Sequence, residues 1–271
     1  MIKQAIIPLA GLGTRLLPLT SVLPKELLPI NGKPSLEYIL DECLESGIKE
    51  IIFIISKKKQ IIKKYFFNDS FFKKIIKKKS KDKRIRYEYN KIKKFKKMIK
   101  FVYQNSPRGT GDALLKCKRY IKSKNFIMLL PDDLIMKNNC SISMIKVHKK
   151  YNSSVIASMN IKKKNVSRWG ILKIKKFKKN NFMIEDVIEK PSIKMAPSSY
   201  AVIGRYILPY KIFEILRKQK AGKNGEVHIT DAIKTLIHQK NKFIGHIFTG
   251  KYLDCGTMNG YINSTLKINK L

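Results

Sequence analysis

The 271-residue chain carries 58 Lys and Arg against 19 Asp and Glu, a formal net charge of +39, with hydrophobic residues at 44%. That length and apolar content suit one α/β domain with a substantial core, or two small domains sharing an interface. No apolar run nears the roughly 20 residues a bilayer requires, and Gly, Thr and Arg stand where a secretory signal would continue. Cys43, Cys117, Cys140 and Cys255 form no C-x-x-C pair, so zinc and a disulfide framework are both disfavoured. His148, His228, His238 and His246 are equally scattered and receive no role. A soluble, cytoplasmic protein without membrane association is predicted.

The charge would attract polyanions over a Debye length of about 8 Å. Yet the lysines come as tracts, SKKK at 56–59, IIKKKSKDK at 75–83 and IKKFKK at 92–97, with no recognition helix, zinc knuckle or RNP-like aromatic strand. Abundant Asn, Ile, Phe and Tyr beside Lys point to codon drift in an AT-rich genome. No specific nucleic-acid partner is predicted, although a basic nucleic-acid-binding protein stands as the rival from another functional class.

In chain order, KQAIIPL (3–9) reads as a first strand. PSLEYILDECLESG (34–47) reads as a helix that opens on a proline and closes at Gly47, with Leu36, Ile39, Leu40, Cys43 and Leu44 on one face. EIIFIIS (50–56) is a second strand. Residues 57–98 are expected to hold a helix and then an irregular, solvated excursion, before IKFVYQ (99–104) resumes as a strand. GTGDALLKCKRYI (109–121) reads as a helix launched from a glycine turn, and NFIMLLPDD (125–133) as a buried strand ending in carboxylates. A helix at about 141–150 precedes strands at 153–159, 169–174, 183–188 and 200–206. Helices near 209–217 and 229–239 and a strand at 243–249 finish the chain. The pattern predicts an α/β fold, a Rossmann-like mostly parallel sheet flanked by helices with a hairpin-rich extension on the same sheet.

The stretch AGLGTRLLPLTSVLPKELLPI (10–30) follows the first strand directly. A glycine turn between a strand and a helix presents backbone N–H groups to an anion, phosphate above all. The spacing is neither a Walker loop nor a complete dinucleotide fingerprint. Arg15 adds a guanidinium fork and Lys25 a compact ammonium across the same loop. Asp132 and Asp133 end a buried strand at the carboxyl edge of the sheet, where open α/β folds gather their ligands. Adjacent acids cannot both point inward, so only one of Asp132 and Asp133 is expected to face the site. Glu189 and Lys190 alternate along a strand, and Pro191 allows the local twist by which both reach one site. Gln104 ends its strand with an amide that offers both a donor and an acceptor. Trp169 is expected to pack rather than to stack on a ligand.

These segments together resemble the sugar-1-phosphate nucleotidylyltransferases. The short AGLGTR turn is similar to that of the bacterial UTP–glucose-1-phosphate uridylyltransferases rather than to the longer turn of thymidylyltransferases. VYQNSPRGTGDALL, LLPDDLI, WGIL, VIEKP, YAVIGRYIL, GEVHITDAI and LDCGTMNGY follow in the family's order over nearly the whole chain. The resemblance implies that UTP and glucose 1-phosphate give UDP-glucose and pyrophosphate, with a thymidylyltransferase or a related synthase as the nearest alternative. It implies catalytic roles for Arg15, Lys25 and Lys190. Nucleotide contacts would come from Leu9, Ala10, Gly11, Gly13, Gln104 and Gly109, sugar contacts from Gly170, Glu189 and Lys190, and Mg²⁺ ligands from Asp132 and Asp254. The resemblance thus implies that Asp132 is the acid facing the site and that Asp133 faces away.

Gly170 is expected to leave room for a hexose, Glu26 to order the loop, and Asn105 stands where the family has glycine. One nucleotidylyltransferase domain over 1–271 is expected, with a nucleotide-binding core at 1–135, a sugar-binding extension at about 153–206 and a C-terminal part at 207–271. A homo-oligomer is implied. The chain stops soon after GYINSTLKINKL, short of a further C-terminal helix that relatives carry, so the oligomer contacts made by such a helix are expected to be missing.

Overall fold

A computed structural model describes residues 1–79, 81–222 and 225–268. Ser80 of the lysine tract and the tail 269–271 lie outside the described residues. The strands are β1 (Gln4–Pro8), β2 (Pro29–Ile30), β3 (Lys33–Pro34), β4 (Glu50–Ile55), β5 (Ile99–Tyr103), β6 (Asn125–Leu129), β7 (Asp133–Met136), β8 (Ser154–Asn160), β9 (Gly170–Lys178), β10 (Asn181–Glu189), β11 (Tyr200–Pro209), β12 (Phe243–Ile247) and β13 (Lys251–Asp254). The helices are α1 (Ser35–Glu45), α2 (Gln60–Phe67), α3 (Ser70–Lys78), α4 (Lys83–Met98), α5 (Thr110–Lys116), α6 (Cys140–Tyr151), α7 (Ile212–Lys218), α8 (Ile229–His238) and α9 (Met258–Ile268).

Nine strands form one sheet in the order β5-β4-β1-β6-β11-β8-β12-β10-β9. β5, β4, β1 and β6 run parallel. From β11 onward the pairings are antiparallel except β8 with β12, so the hairpin-rich extension continues the parallel part edge to edge. Both faces of the parallel part are covered. In β4, Ile51, Phe53 and Ile55 join one core and Ile52 and Ile54 the other, all fully buried. Each such side chain contributes about 1.5–3 kcal/mol by leaving water, and the continuous apolar run follows from burial on two faces.

Several elements depart from the sequence-based expectation. Residues 57–98 fold into three helices rather than one helix and an excursion. Ile62 and Phe66 of α2 and Ile92 and Phe95 of α4 supply the buried contacts, with the Phe53 and Phe66 rings 5.8 Å apart. Asp82 caps α4 by accepting from the Ile85 N–H at 3.1 Å. The many lysines at the other helical positions obscure the apolar period. β6 ends at Leu129, and Asp133 belongs to a separate ribbon strand, β7, paired with β13. β7, and β13 and α9 beyond the last expected strand, are elements that the sequence reading does not include. Four residues is too short a span for strand alternation to declare itself.

Candidate active site

β1 and β6 are parallel neighbours in the register Ala5 with Ile127, so the loops at their carboxyl ends emerge side by side. They open onto a cavity of about 710 Å³, a size suited to a nucleotide-sized ligand. Its walls include Ala10, Gly11, Gly13, Arg15, Lys25, Gln104, Gly109, Asp132, Asp254, Glu189 and Lys190. Two expected site residues stand apart from the walls. Leu9 is fully buried in the core and its N–H donates to Ile54 O at 2.7 Å, while Gly170 lies one step behind the surface.

The chain leaves β1 through a turn in which Gly13 takes φ 72°, a conformation that strains other residues. Three short 3₁₀ turns, Thr14–Leu16, Leu19–Ser21 and Lys25–Leu27, then carry the loop on toward β2. Among the described residues, the N–H groups of Gly11, Leu12, Gly13 and Thr14 have no protein acceptor. Such a run of free donors is suited to an anion.

Lys25 Nζ donates to Asp132 Oδ2 at 2.6 Å, and the Arg15 guanidinium stands 3.6 Å from the same oxygen. Burial pulls the Lys25 pKa down, but the Asp132 and Glu26 carboxylates outweigh it and leave it raised. Burial pushes Asp132 up, and the Lys25 ammonium outweighs that in turn, leaving Asp132 below the usual carboxylate range. The two therefore hold opposite charges. Behind them the buried Glu26 accepts two hydrogen bonds of 2.9 Å from Lys59 Nζ. This anchors the 3₁₀ turn that carries Lys25, in keeping with an ordering role for Glu26.

Asp133 accepts from the Gly204 N–H at 2.9 Å and from the Tyr252 hydroxyl at 2.5 Å. Its oxygens turn toward β11 and β13 although the residue lines the cavity floor. Burial, together with the Asp132 charge, pushes its pKa up to about 6. The ribbon sets Asp254 opposite Asp133. Asp254 Oδ1 accepts from the Gly256 N–H at 2.9 Å and Oδ2 accepts from Arg168 at 2.8 Å. A Cβ added at Gly256 would meet Asp132 Oδ2 at 2.7 Å, Arg15 Nη2 at 3.1 Å and Asp254 Oδ1 at 3.3 Å. Glycine there keeps open a small cradle flanked by both carboxylates. Two hard oxygen donors in a partly open space suit a divalent ion that retains several waters.

Across the cavity the β9–β10 hairpin places Glu189 opposite Gly170. The room left by Gly170 is taken by protein, since a Cβ there would stand 3.2 Å from both Glu189 Oε2 and Thr230 Cγ2. Gly170 thus makes way for the Glu189 carboxylate, which accepts from Thr230 Oγ1 at 3.0 Å. Lys190 is itself the twist residue, with φ 44°, held by its N–H donating to Trp169 O at 3.1 Å. That left-handed conformation brings its ammonium to within 3.9 Å of Glu189 Oε1, on the same wall. Trp169 both packs on the core and lines the cavity.

Gln104 is 3% exposed and its Nε2 donates to Asp112 Oδ2 at 2.6 Å, which fixes the amide and leaves Oε1 for a ligand. Gly109 takes φ 93°, and a Cβ there would lie 2.6 Å from Val227 O. The turn is pressed against the segment before α8 by Gly111 N–H donating to Val227 O at 2.7 Å. Asn105 is not among the residues at positive φ, so the backbone path does not depend on glycine there. Sequence reasoning missed Arg168, Asp112, His228 and Thr230. The last two lie within GEVHITDAI, a matching segment to which no role had been given.

The nucleotidyl transferase family profile matches residues 4–270. The chain is 36% identical over 273 aligned positions to "UTP--glucose-1-phosphate uridylyltransferase 2" of Streptococcus pyogenes serotype M3, covering 98% of this chain and 89% of that protein. A crystal structure of UDP-glucose pyrophosphorylase complexed with UDP-glucose aligns with TM-score 0.87 at 35% identity, over 100% of this chain and 99% of that one. A UTP-bound UGPase from Acinetobacter baumannii aligns with TM-score 0.88 at 30% identity, over 99% and 93%.

Proposed function

The chain belongs to the nucleotidyl transferase family, and from that premise we propose that it transfers the uridylyl group of UTP to glucose 1-phosphate, giving UDP-glucose and pyrophosphate. The observation that carries this reading is the meeting of Arg15, Lys25, Asp132, Glu189, Lys190 and Asp254 around one cavity. The relatives' names, and the UDP-glucose bound to one of them, support the choice of substrates.

In this reading a sugar-phosphate oxygen attacks the α-phosphorus of UTP in line with the departing pyrophosphate. No covalent enzyme intermediate is required. A phosphate monoester with second pKa near ~6 is already largely dianionic at pH 7, so a general base would add little. Charge repulsion is the obstacle, because one pair of like unit charges 4 Å apart costs about 4 kcal/mol at an effective dielectric of 20. Arg15 and Lys25 bind the triphosphate, and the free N–H groups of Gly11–Thr14 cradle its oxygens. Lys190 holds the sugar phosphate, Glu189 accepts from sugar hydroxyls, and the Gln104 amide reads uracil beside Ala10 and Gly109. Leu9 has only its carbonyl left to offer.

Asp132 and Asp254 are the residues that would hold Mg²⁺, whose chemistry is to supply positive charge to phosphate oxygens. Residues 1–135 form the nucleotide-binding part, about 153–206 the sugar-binding extension, and 207–271 return Thr230 and Asp254 to both. A homo-oligomer in the cytoplasm completes the reading. The four free, buried thiols suit a reducing compartment. No helix among the described residues is long and apolar enough to cross a membrane.

The test is direct. Purified protein incubated with Mg²⁺, glucose 1-phosphate and each nucleoside triphosphate in turn should release pyrophosphate fastest with UTP. Faster release with dTTP would convert the reading to a thymidylyltransferase, and no release with any triphosphate would end it.

A further inference from the structure

Each of the two carboxylates beside the Gly256 cradle is already paired with a cation of the protein, and the two pairs differ in kind. Lys25 is 14% exposed, held by Asp132 at 2.6 Å, with the Glu26 carboxylate behind it. Arg168 is 50% exposed, and its one carboxylate partner among the described residues is Asp254, at 2.8 Å. An exposed pair of that sort contributes little to stability and parts readily. The Arg168 side chain is nonetheless not adrift. Its guanidinium lies 4.6 Å from the centre of the Trp169 ring, and the backbone beneath it is fixed by the buried Val166, whose carbonyl accepts from the Trp169 N–H at 3.2 Å. The Trp169 carbonyl in turn holds Lys190 N–H at 3.1 Å. Arg168 therefore stands between Asp254 and the residues read above as the sugar-phosphate side of the cavity.

We propose that Arg168 is a positioning residue that changes partner during substrate loading: it neutralises Asp254 in the empty site, yields that carboxylate to the divalent ion, and then pairs with the phosphate of the sugar substrate. The exchange follows from charge. A guanidinium 2.8 Å from Asp254 Oδ2 and a divalent ion bound to the same carboxylate at about 2.1 Å would stand within roughly 5 Å of each other and repel. The freed guanidinium keeps its contact with the Trp169 ring, and a phosphate entering the cavity offers oxygens that match its fork of donors. One residue thus couples metal entry to sugar-phosphate capture. The inference rests on the functional reading above for the identity of that phosphate.

Arg168→Gln and Arg168→Lys test it, with two readouts. Mn²⁺ binding to nucleotide-free protein, followed by the electron paramagnetic resonance of free Mn²⁺, should tighten about two- to fivefold in Arg168→Gln because a competing cation has gone, and should change less in Arg168→Lys. Calorimetric binding of glucose 1-phosphate in the presence of Mn²⁺ should weaken about tenfold in Arg168→Gln, the loss of a charge-assisted hydrogen bond, while UTP binding stays as in the parent. Unchanged or weaker Mn²⁺ binding by Arg168→Gln overturns the proposal, and so does undiminished glucose 1-phosphate binding. Parent protein that releases no pyrophosphate would instead overturn the functional reading, and the Mn²⁺ measurement would still decide whether Arg168 competes for Asp254.

Discussion

Two lysine-bearing regions of the molecule differ in what surrounds their charges. Over residues 57–98 most lysines stand in water: α3 buries none of its residues, and Lys73, paired with Asp69, has a side chain 59% exposed. At the cavity, Lys25 is enclosed between Asp132 and Glu26, and the pKa values of Lys25 and Asp132 are moved apart by one another. An ammonium in solvent is screened and its pairing contributes about 0–1 kcal/mol. The same group in a desolvated pocket can neutralise a phosphate or hold a carboxylate charged. A net charge of +39 therefore says little about chemistry until burial and partners are known. Lys59 makes the point within the tract itself: it is 7% exposed and bound to Glu26, whereas its neighbours Lys57 and Lys58 are exposed.

The largest effect is expected at the cavity. Asp132→Asn should lower Mg²⁺-dependent pyrophosphate release on the order of a thousandfold, and a Mg²⁺ titration identical to that of the parent would remove Asp132 from the site. Lys59→Ala leaves the buried Glu26 carboxylate without its hydrogen-bonded ammonium and should cost about 3 kcal/mol of stability, read as a fall in the urea midpoint. An unshifted midpoint would place Lys59 with its solvated neighbours and blur the comparison. Lys190→Ala should cut the use of glucose 1-phosphate about a hundredfold with UTP binding mostly retained; small, equal losses for both substrates would count against its role. Lys73→Gln is the opposite case and should leave both turnover and the urea midpoint as in the parent. A drop in either measurement would mean that the tract does more than stay hydrated.

Much of the site was legible because its parts are local. A glycine turn after an apolar strand announces Gly11, Gly13 and Arg15, and an apolar strand ending in acids announces Asp132. What could not be read were the partners brought from far along the chain. Nothing near Gln104 says that Asp112 will fix its amide, and nothing in VIEKP says that Thr230 will meet Glu189 or that Gly170 will make way for it. Arg168 looked like one more basic residue among 58 Lys and Arg. The same masking hid α3 and α4, whose polar positions are so rich in lysine that the spacing of Ile92 and Phe95 gave no clear period. β13 was missed because four residues are too few to show an alternation, and its partner β7 lies more than a hundred residues earlier in the chain.

That pairing has a consequence for synthesis. The glycine turn after β1 and Asp132 leave the ribosome early, whereas Asp254 follows on the order of ten seconds later at about 5–20 residues per second. A nascent chain thus carries the turn and the first carboxylate long before it owns the second. The two carboxylates therefore come together only when the ribbon closes, after nearly the whole chain has been made.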